Sequence, residues 1–159
     1  MSNVFEMLLR PAREIYDIIG QITKERQRTK GMINRILYEA EFNMGIIAEE
    51  YFENHADPES VIEKLLVDDL SQALDSGFDF RKLKGGTITE PMVDNIKFFQ
   101  GWIGFDCEQT CRKIRVYLNR LKAVPELMKR RRLPNADMDR RFENMLSVYL
   151  LFWRFYEAE

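Results

Sequence analysis

The chain of 159 residues is long enough to bury a sizeable core, and its 45% hydrophobic and 31% charged residues are ordinary for a globular protein. The formal net charge of −2 excludes an overall field favouring nucleic acid or a membrane surface. Two cysteines exclude a disulfide framework, and no apolar run reaches the roughly 18–20 residues that span a bilayer. The first residues lack a signal-peptide layout. We therefore expect one cytoplasmic domain over residues 1–159.

A long first helix is predicted over about residues 12–54, because apolar residues recur there every three or four positions. The apolar pattern weakens over residues 24–31, which end at Gly31. Two interpretations are open: one continuous helix that bends in the middle, or two helices joined by a hinge at Gly31. We favour the continuous helix, because the apolar positions keep their phase across the weak segment.

The second helix is predicted over about residues 58–76. Asp57 is a good N-cap, Pro58 suits the first helical turn, and Gly77 provides the stop. The connection before Pro58 is short. It therefore makes the first and second helices antiparallel neighbours.

The third helix is predicted over about residues 91–127, restarting at Thr89 and Pro91 after a linker that contains two adjacent glycines. A fourth helix follows over about residues 136–157. No segment alternates with the two-residue period of a strand. The sequence thus predicts an all-α protein, an elongated up-down bundle of four unequal helices in which the long pair projects beyond the short pair.

Charge is unevenly distributed along the chain. Residues 39–79 hold twelve acids and one lysine, a net charge of −11, whereas residues 112–141 hold eleven bases and three acids, a net charge of +8. In the predicted topology these two segments lie side by side. They can complement each other within one molecule or between molecules.

The basic segment also allows a nucleic-acid interpretation, in which cations on the third helix and in the following loop bind phosphates. No aromatic residue interleaves with the basic run to stack on bases, so we expect a solvated loop and keep polyanion binding as the alternative. The residues that would bind a polyanion are Arg112, Arg115, Arg120, Lys129, Arg130, Arg131 and Arg132.

Catalytic and metal-binding patterns are largely missing from the sequence. The single histidine, His55, makes a zinc site or a Ser-His-Asp triad improbable and fits a helix end. Cys107 and Cys111 are expected to be buried thiols, and Gly101 and Gly104 to let another helix approach. An enzyme with a carboxylate-bound metal remains a weaker alternative, drawing on Glu49, Glu53, Asp68 or Asp69. We predict a protein without catalytic activity, metal or cofactor.

Residues 145–156 contain more apolar surface than one side of a bundle helix requires, with Ser147 and Arg154 as the two polar exceptions. Three interpretations compete: the helix is wrapped completely by its neighbours, it lies in a membrane surface, or it forms a contact with a partner. We favour the contact, in a homo-oligomer (a dimer above all) or with another protein, and hence an adaptor, assembly or regulatory role. The predicted contact residues are Phe98, Trp102, Phe152, Trp153, Phe155 and Tyr156.

Overall fold

The computed structural model describes residues 17, 19, 20, 31–131 and 135–159, with the backbone alone at residues 131, 135 and 136. The predicted all-α bundle is confirmed, and no strand occurs in these ranges. The α-helices are α1 (Met32–Gly45), α2 (Pro58–Lys64), α3 (Asp68–Asp75), α4 (Glu90–Val93), α5 (Cys107–Arg131) and α6 (Asn135–Glu157). A π-helical stretch, Ile46–Glu53, continues α1, and 3₁₀ turns occur at Phe80–Lys82 and Lys97–Trp102.

Helix α1 begins directly after Gly31, whose φ of 70° and ψ of −137° are open to glycine but not to other residues. The prediction of one continuous helix through Gly31 is therefore wrong, because this backbone conformation interrupts any helix. Apart from residues 17, 19 and 20, the predicted segment before Gly31 lies outside the described residues. At the other end, His55 has a φ of 52° and is exposed, so it terminates the π-helical stretch as expected of a helix-end histidine.

The predicted helix over residues 58–76 is interrupted at residues 65–67, although its start and stop are confirmed. The Asp57 side chain accepts a hydrogen bond from Ser60 N at 3.2 Å. At the interruption, the amide of Asn43 on α1 accepts from Leu66 N at 2.8 Å and donates to Leu66 O at 2.7 Å. These bonds replace the helical ones that Leu66 forgoes, so the chain can turn there without losing backbone hydrogen bonds.

Helix α3 begins on a buried carboxylate. Glu39, 5% exposed, accepts hydrogen bonds from Asp69 N at 2.9 Å and from Leu70 N at 2.8 Å. These N–H groups belong to the first turn of α3, which has no helical acceptor for them. Burial raises the pKa of the Glu39 carboxyl, although both N–H groups stabilise its charged form. Glu39 is thus a structural cap of α3. It is one of the twelve acids counted over residues 39–79, but it is buried and contributes no surface charge.

The predicted helix over residues 91–127 is also wrong in its first half. Asp94 and Asn95 have φ values of 48° and 58°, which end α4 after one turn. Helix α5 starts at Cys107, where Asp106 and Gln109 cap its first turn reciprocally. Gly104 has a φ of 91° and no atom near the position of a Cβ, so it serves the backbone turn and not a close helix approach.

Helix α6 is the central element of the core, with nine consecutive buried residues over positions 145–153. Helix α1 and its π-helical continuation, α4 and α5 all pack against it. A helix that has neighbours on every side is apolar on every side. The apolar residues of α6 that exceed one side of the helix are therefore core residues.

Candidate functional site

The aromatic residues of α6 that were predicted to contact a partner are mostly inside the protein. Phe152, Trp153 and Phe155 are 2%, 4% and 1% exposed, and Tyr156 is half-buried. The interpretation of α6 as a surface for contact with a partner is therefore wrong for these three residues. The interpretation in which neighbouring elements wrap the helix agrees with the structure.

A second group of aromatic residues joins the 3₁₀ turn at Lys97–Trp102 to α5 and reaches the surface. Trp102 is buried and lies 6.2 Å from the ring of Tyr117, whereas Phe98 is 40% exposed and lies 5.9 Å from the same ring. The Arg120 guanidinium sits over the Tyr117 ring at 5.6 Å. Of the predicted contact residues, Phe98 is thus the exposed one, and it lies beside Tyr117, over whose ring Arg120 is placed.

The basic residues of the sequence lie mainly on α5 and not in a loop. Lys129, Arg130 and Arg131 form the last turn of α5, where cations favour the negative end of the helix, so the prediction of a loop there is wrong. Pro125 lies inside this helix and not in its last turn. Arg132 lies outside the described residues, and so does the side chain of Arg131.

Part of the charge on α5 is neutralised by ion pairs. Arg112 contacts Glu108 at 3.8 Å, Lys129 contacts Glu126 at 3.5 Å, and Arg115 contacts Asp75 at 2.8 Å. Within the described ranges, the remaining cations of α5 have no carboxylate in ion-pair distance. Three of these cations, Lys113, Arg120 and Arg130, lie at exposed positions and form the basic face, as we call it, whereas Lys122 is half-buried and lies on the other side of the helix from Arg120.

The acidic segment presents carboxylates on the π-helical stretch, on α2 and at the start of α3. Glu50 pairs with Lys64 at 2.8 Å, and Asp69 lies 3.9 Å from Arg35. Several further carboxylates at the surface or half-buried have no cation in ion-pair distance within the described part of the chain. This acidic surface consists of Glu49, Glu53, Glu59, Glu63 and Asp68.

The two charged regions are neighbours, since α2 and α3 both pack against α5. In the ranges that the structure describes, Arg115–Asp75 is the ion pair that joins them. Among the described residues, most of the charge of the basic face and of the acidic surface is therefore unpaired. A surface ion pair contributes only about 0–1 kcal/mol, so the fold does not depend on these charges.

A cleft of about 410 Å³ lies between residues 77–86 and the start of α5. Its charged groups bond to the protein itself. Asp79 holds Arg81 through two contacts at 3.0 and 3.2 Å, Asp106 caps α5, and Lys84 donates to the Ala158 carbonyl. The contacts of Asp79, Arg81, Lys84 and Asp106 in this cleft therefore have a structural role. The lining residues are Gly77, Phe78, Asp79, Phe80, Arg81, Lys84, Gly86, Asp106, Cys107 and Glu108.

The thiols of Cys107 and Cys111 are both buried, as predicted, and they form no disulfide. A hydrogen bond from one thiol to the other, together with burial, raises the pKa of Cys111 well above its ordinary value. A protonated buried thiol is a weak nucleophile. These cysteines therefore belong to the core.

No group of three or more His, Cys, Asp or Glu side chains that could hold a metal ion occurs among the described residues. The weaker alternative of a carboxylate-bound metal thus finds no cluster there to support it. Within the same residues, no helix has the length and apolar character needed to cross a membrane. No protein-family model, curated protein or solved structure matches the chain.

One carboxylate near the start of α6, Glu143, makes the stability of the protein depend on pH. Burial, with the neighbouring charge of Asp139, raises the pKa of Glu143 above its ordinary 4.5. Because the folded-state pKa is the higher one, the stabilisation is fully present below the unfolded-state pKa and is lost as pH rises through the folded-state pKa. We expect Glu143→Gln to raise the free energy of unfolding at neutral pH and to have little effect below pH 4.5.

Urea denaturation from neutral pH to below pH 4.5 would measure the difference in the free energy of unfolding between the Glu143→Gln variant and the unsubstituted protein. Glu157→Gln, the same substitution at an exposed position of α6, is the matched control and should change the stability by less than about 0.5 kcal/mol. A constant difference between Glu143→Gln and the unsubstituted protein at all pH values would contradict the assignment to Glu143 ionisation.

Proposed function

We propose that this protein is a non-catalytic helical interaction module that binds an acidic protein surface through the basic face of α5. The observation that supports the proposal is the excess of unpaired cations on one long helix. Eight basic residues lie on α5 against two acidic ones, and α3 supplies one further carboxylate, Asp75. An acidic partner would supply carboxylates for the unpaired cations of α5, and the opposite charges would speed its association.

Apolar groups on the same helix support a protein partner. Val116 and Leu127 are 40% and 44% exposed, and Phe98 lies alongside. Lys113, Tyr117 and Arg120 are spaced four and three residues apart, which places them on one side of α5. Exposed apolar and aromatic groups among cations are typical of protein contact surfaces. The free thiols of Cys107 and Cys111 support a reducing, cytoplasmic location for this interaction.

The proposal predicts that Lys113→Glu weakens binding of an acidic helix. The probe is a fluorescein-labelled, glutamate-rich helical peptide, and fluorescence anisotropy at about 50 mM salt measures its affinity. Lys113 is exposed and makes no ion pair with a described residue, so the substitution replaces an attraction with a repulsion. We expect the dissociation constant to rise about five-fold, in line with the free energy of one exposed charge pair.

Lys82→Glu is the matched control, because it makes the same charge change at an exposed lysine that belongs to a 3₁₀ turn and not to the basic face. It should alter the affinity for the peptide much less than Lys113→Glu. Equal effects of both variants would show that net charge alone governs binding. That result, or no binding of the peptide by the unsubstituted protein at low salt, would overturn the proposal.

A nucleic-acid-binding function is the second candidate, and one observation favours it. The exposed ring of Phe98 lies beside Tyr117, over which Arg120 is placed, and this arrangement can stack a base next to a cation. A labelled single-stranded oligonucleotide in the same assay tests this candidate. Binding that falls steeply with salt and is lost in Phe98→Ala would favour it over the protein partner.

A further inference from the structure

We infer that the acidic partner is a second copy of this chain, whose acidic surface binds the basic face of the first. This inference rests on the proposed function and names its partner. The chain carries both halves of such a contact: three unpaired cations on the basic face of α5 and five unpaired carboxylates on the elements beside it. Both counts refer to the described residues.

The placement of the two surfaces suits a symmetric dimer. Because α2 and α3 pack on α5, the elements that carry much of the acidic surface adjoin the helix that carries the basic face, and Arg115, paired with Asp75, marks the side of α5 that meets α3. A two-fold axis running between the two surfaces sets the acidic surface of each copy against the basic face of the other. Both contacts form at once, and neither charged surface remains unpaired. A head-to-tail dimer would instead leave one acidic surface and one basic face without a partner.

The charge of the whole chain does not oppose this association. A net charge of −2 gives only weak repulsion between two copies. Whether the copies attract each other therefore depends on the local match between the acidic surface and the basic face. Exposed ion pairs are individually weak and are screened by salt. The dimer is therefore concentration-dependent and dissociates at high salt. This behaviour differs from that of an apolar seam, which salt affects little.

A charge-swap experiment tests the inference on the chain of 159 residues. Sedimentation velocity measures the mass of the unsubstituted protein, of Lys113→Glu/Arg120→Glu and of Glu59→Lys/Glu63→Lys, at about 20 mM and about 500 mM salt. We expect a dimer of the unsubstituted protein at low salt and a monomer at high salt. Each double variant should be monomeric at both, because like charges face each other. An equimolar mixture of the two variants should form a dimer again at low salt.

Restoration in the mixture has a specific reason. The reversed basic face of one variant meets the reversed acidic surface of the other, while their unchanged surfaces also match. Glu90→Lys/Glu157→Lys is the control, because it changes the net charge equally at exposed residues of α4 and α6. It should dimerise as the unsubstituted protein does. Circular dichroism of every variant verifies that it is folded.

Two outcomes would overturn the inference: an unsubstituted protein that is monomeric at low salt, or a variant mixture that stays monomeric. If the acidic peptide nevertheless binds and Lys113→Glu weakens it, the proposed function stands and the partner is a different protein. If neither the dimer nor peptide binding is observed, the proposed function fails as well.

Discussion

Replacing Asn43 by alanine should lower the free energy of unfolding by about 3–5 kcal/mol, because several buried polar groups lose their partner together. Asn43 is completely buried on α1. Its amide bonds both the N–H and the carbonyl of Leu66 and donates to the Tyr149 hydroxyl at 2.8 Å. Alanine leaves these groups without a partner in a space that is mostly apolar, at about 1–3 kcal/mol for each buried unsatisfied group.

Urea denaturation followed by circular dichroism would measure the loss, and Asn119→Ala provides the matched control. Asn119 is an exposed residue of α5, so its substitution should change the stability by less than about 0.5 kcal/mol. A loss below about 1 kcal/mol for Asn43→Ala would mean that water takes over the bonds to Leu66.

The helical class of the protein could be predicted from the sequence because it depends on local periodicity. Apolar residues three and four apart define α1, α5 and α6, and caps such as Asp57 and stops such as Gly77 act within one turn. The bounds of the fourth helix, about residues 136–157, agree closely with Asn135–Glu157. For these elements, the information needed lies within the segment itself.

The helix interruptions could not be predicted as readily, since one of them depends on a distant residue. Asn43 lies 23 residues before Leu66 in sequence, and nothing near Leu66 shows that a side chain will replace its helical hydrogen bonds. The second interruption has local signals. Asp94 and Asn95 are residue types that tolerate a positive φ, and Asp106 with Gln109 forms a recognisable capping box.

The candidate surface was predictable in its charge but not in its aromatic part. The opposite charges of residues 39–79 and 112–141 can be read from the sequence, and α2 and α3 do pack against α5. The ion pairs within these two segments depend on side-chain positions, which the spacing of residues in the sequence does not predict. Phe98 is exposed, but Trp102, which the sequence predicts as a contact residue together with it, is buried. Their different burial follows from the 3₁₀ turn that contains both.

The core assignment of α6 leads to a second large expected effect. Phe155→Ala should lower the free energy of unfolding by about 3–5 kcal/mol, the usual cost of removing a buried phenyl ring. Phe155 is 1% exposed and lies on the helix that the other elements surround. The loss combines the transfer free energy of the ring with the cavity it leaves, since neighbouring side chains refill such a space only in part.

Phe98→Ala makes the same chemical change at a ring that is 40% exposed, so it should cost less than about 1 kcal/mol. Urea denaturation gives the stabilities, and sedimentation velocity gives the oligomeric state of both variants. If Phe155→Ala kept its stability but changed the oligomeric state, α6 would be a contact seam after all. A destabilised Phe155→Ala that associates normally would place the ring in the core and leave the charged surfaces of α5 and its neighbours as the contact.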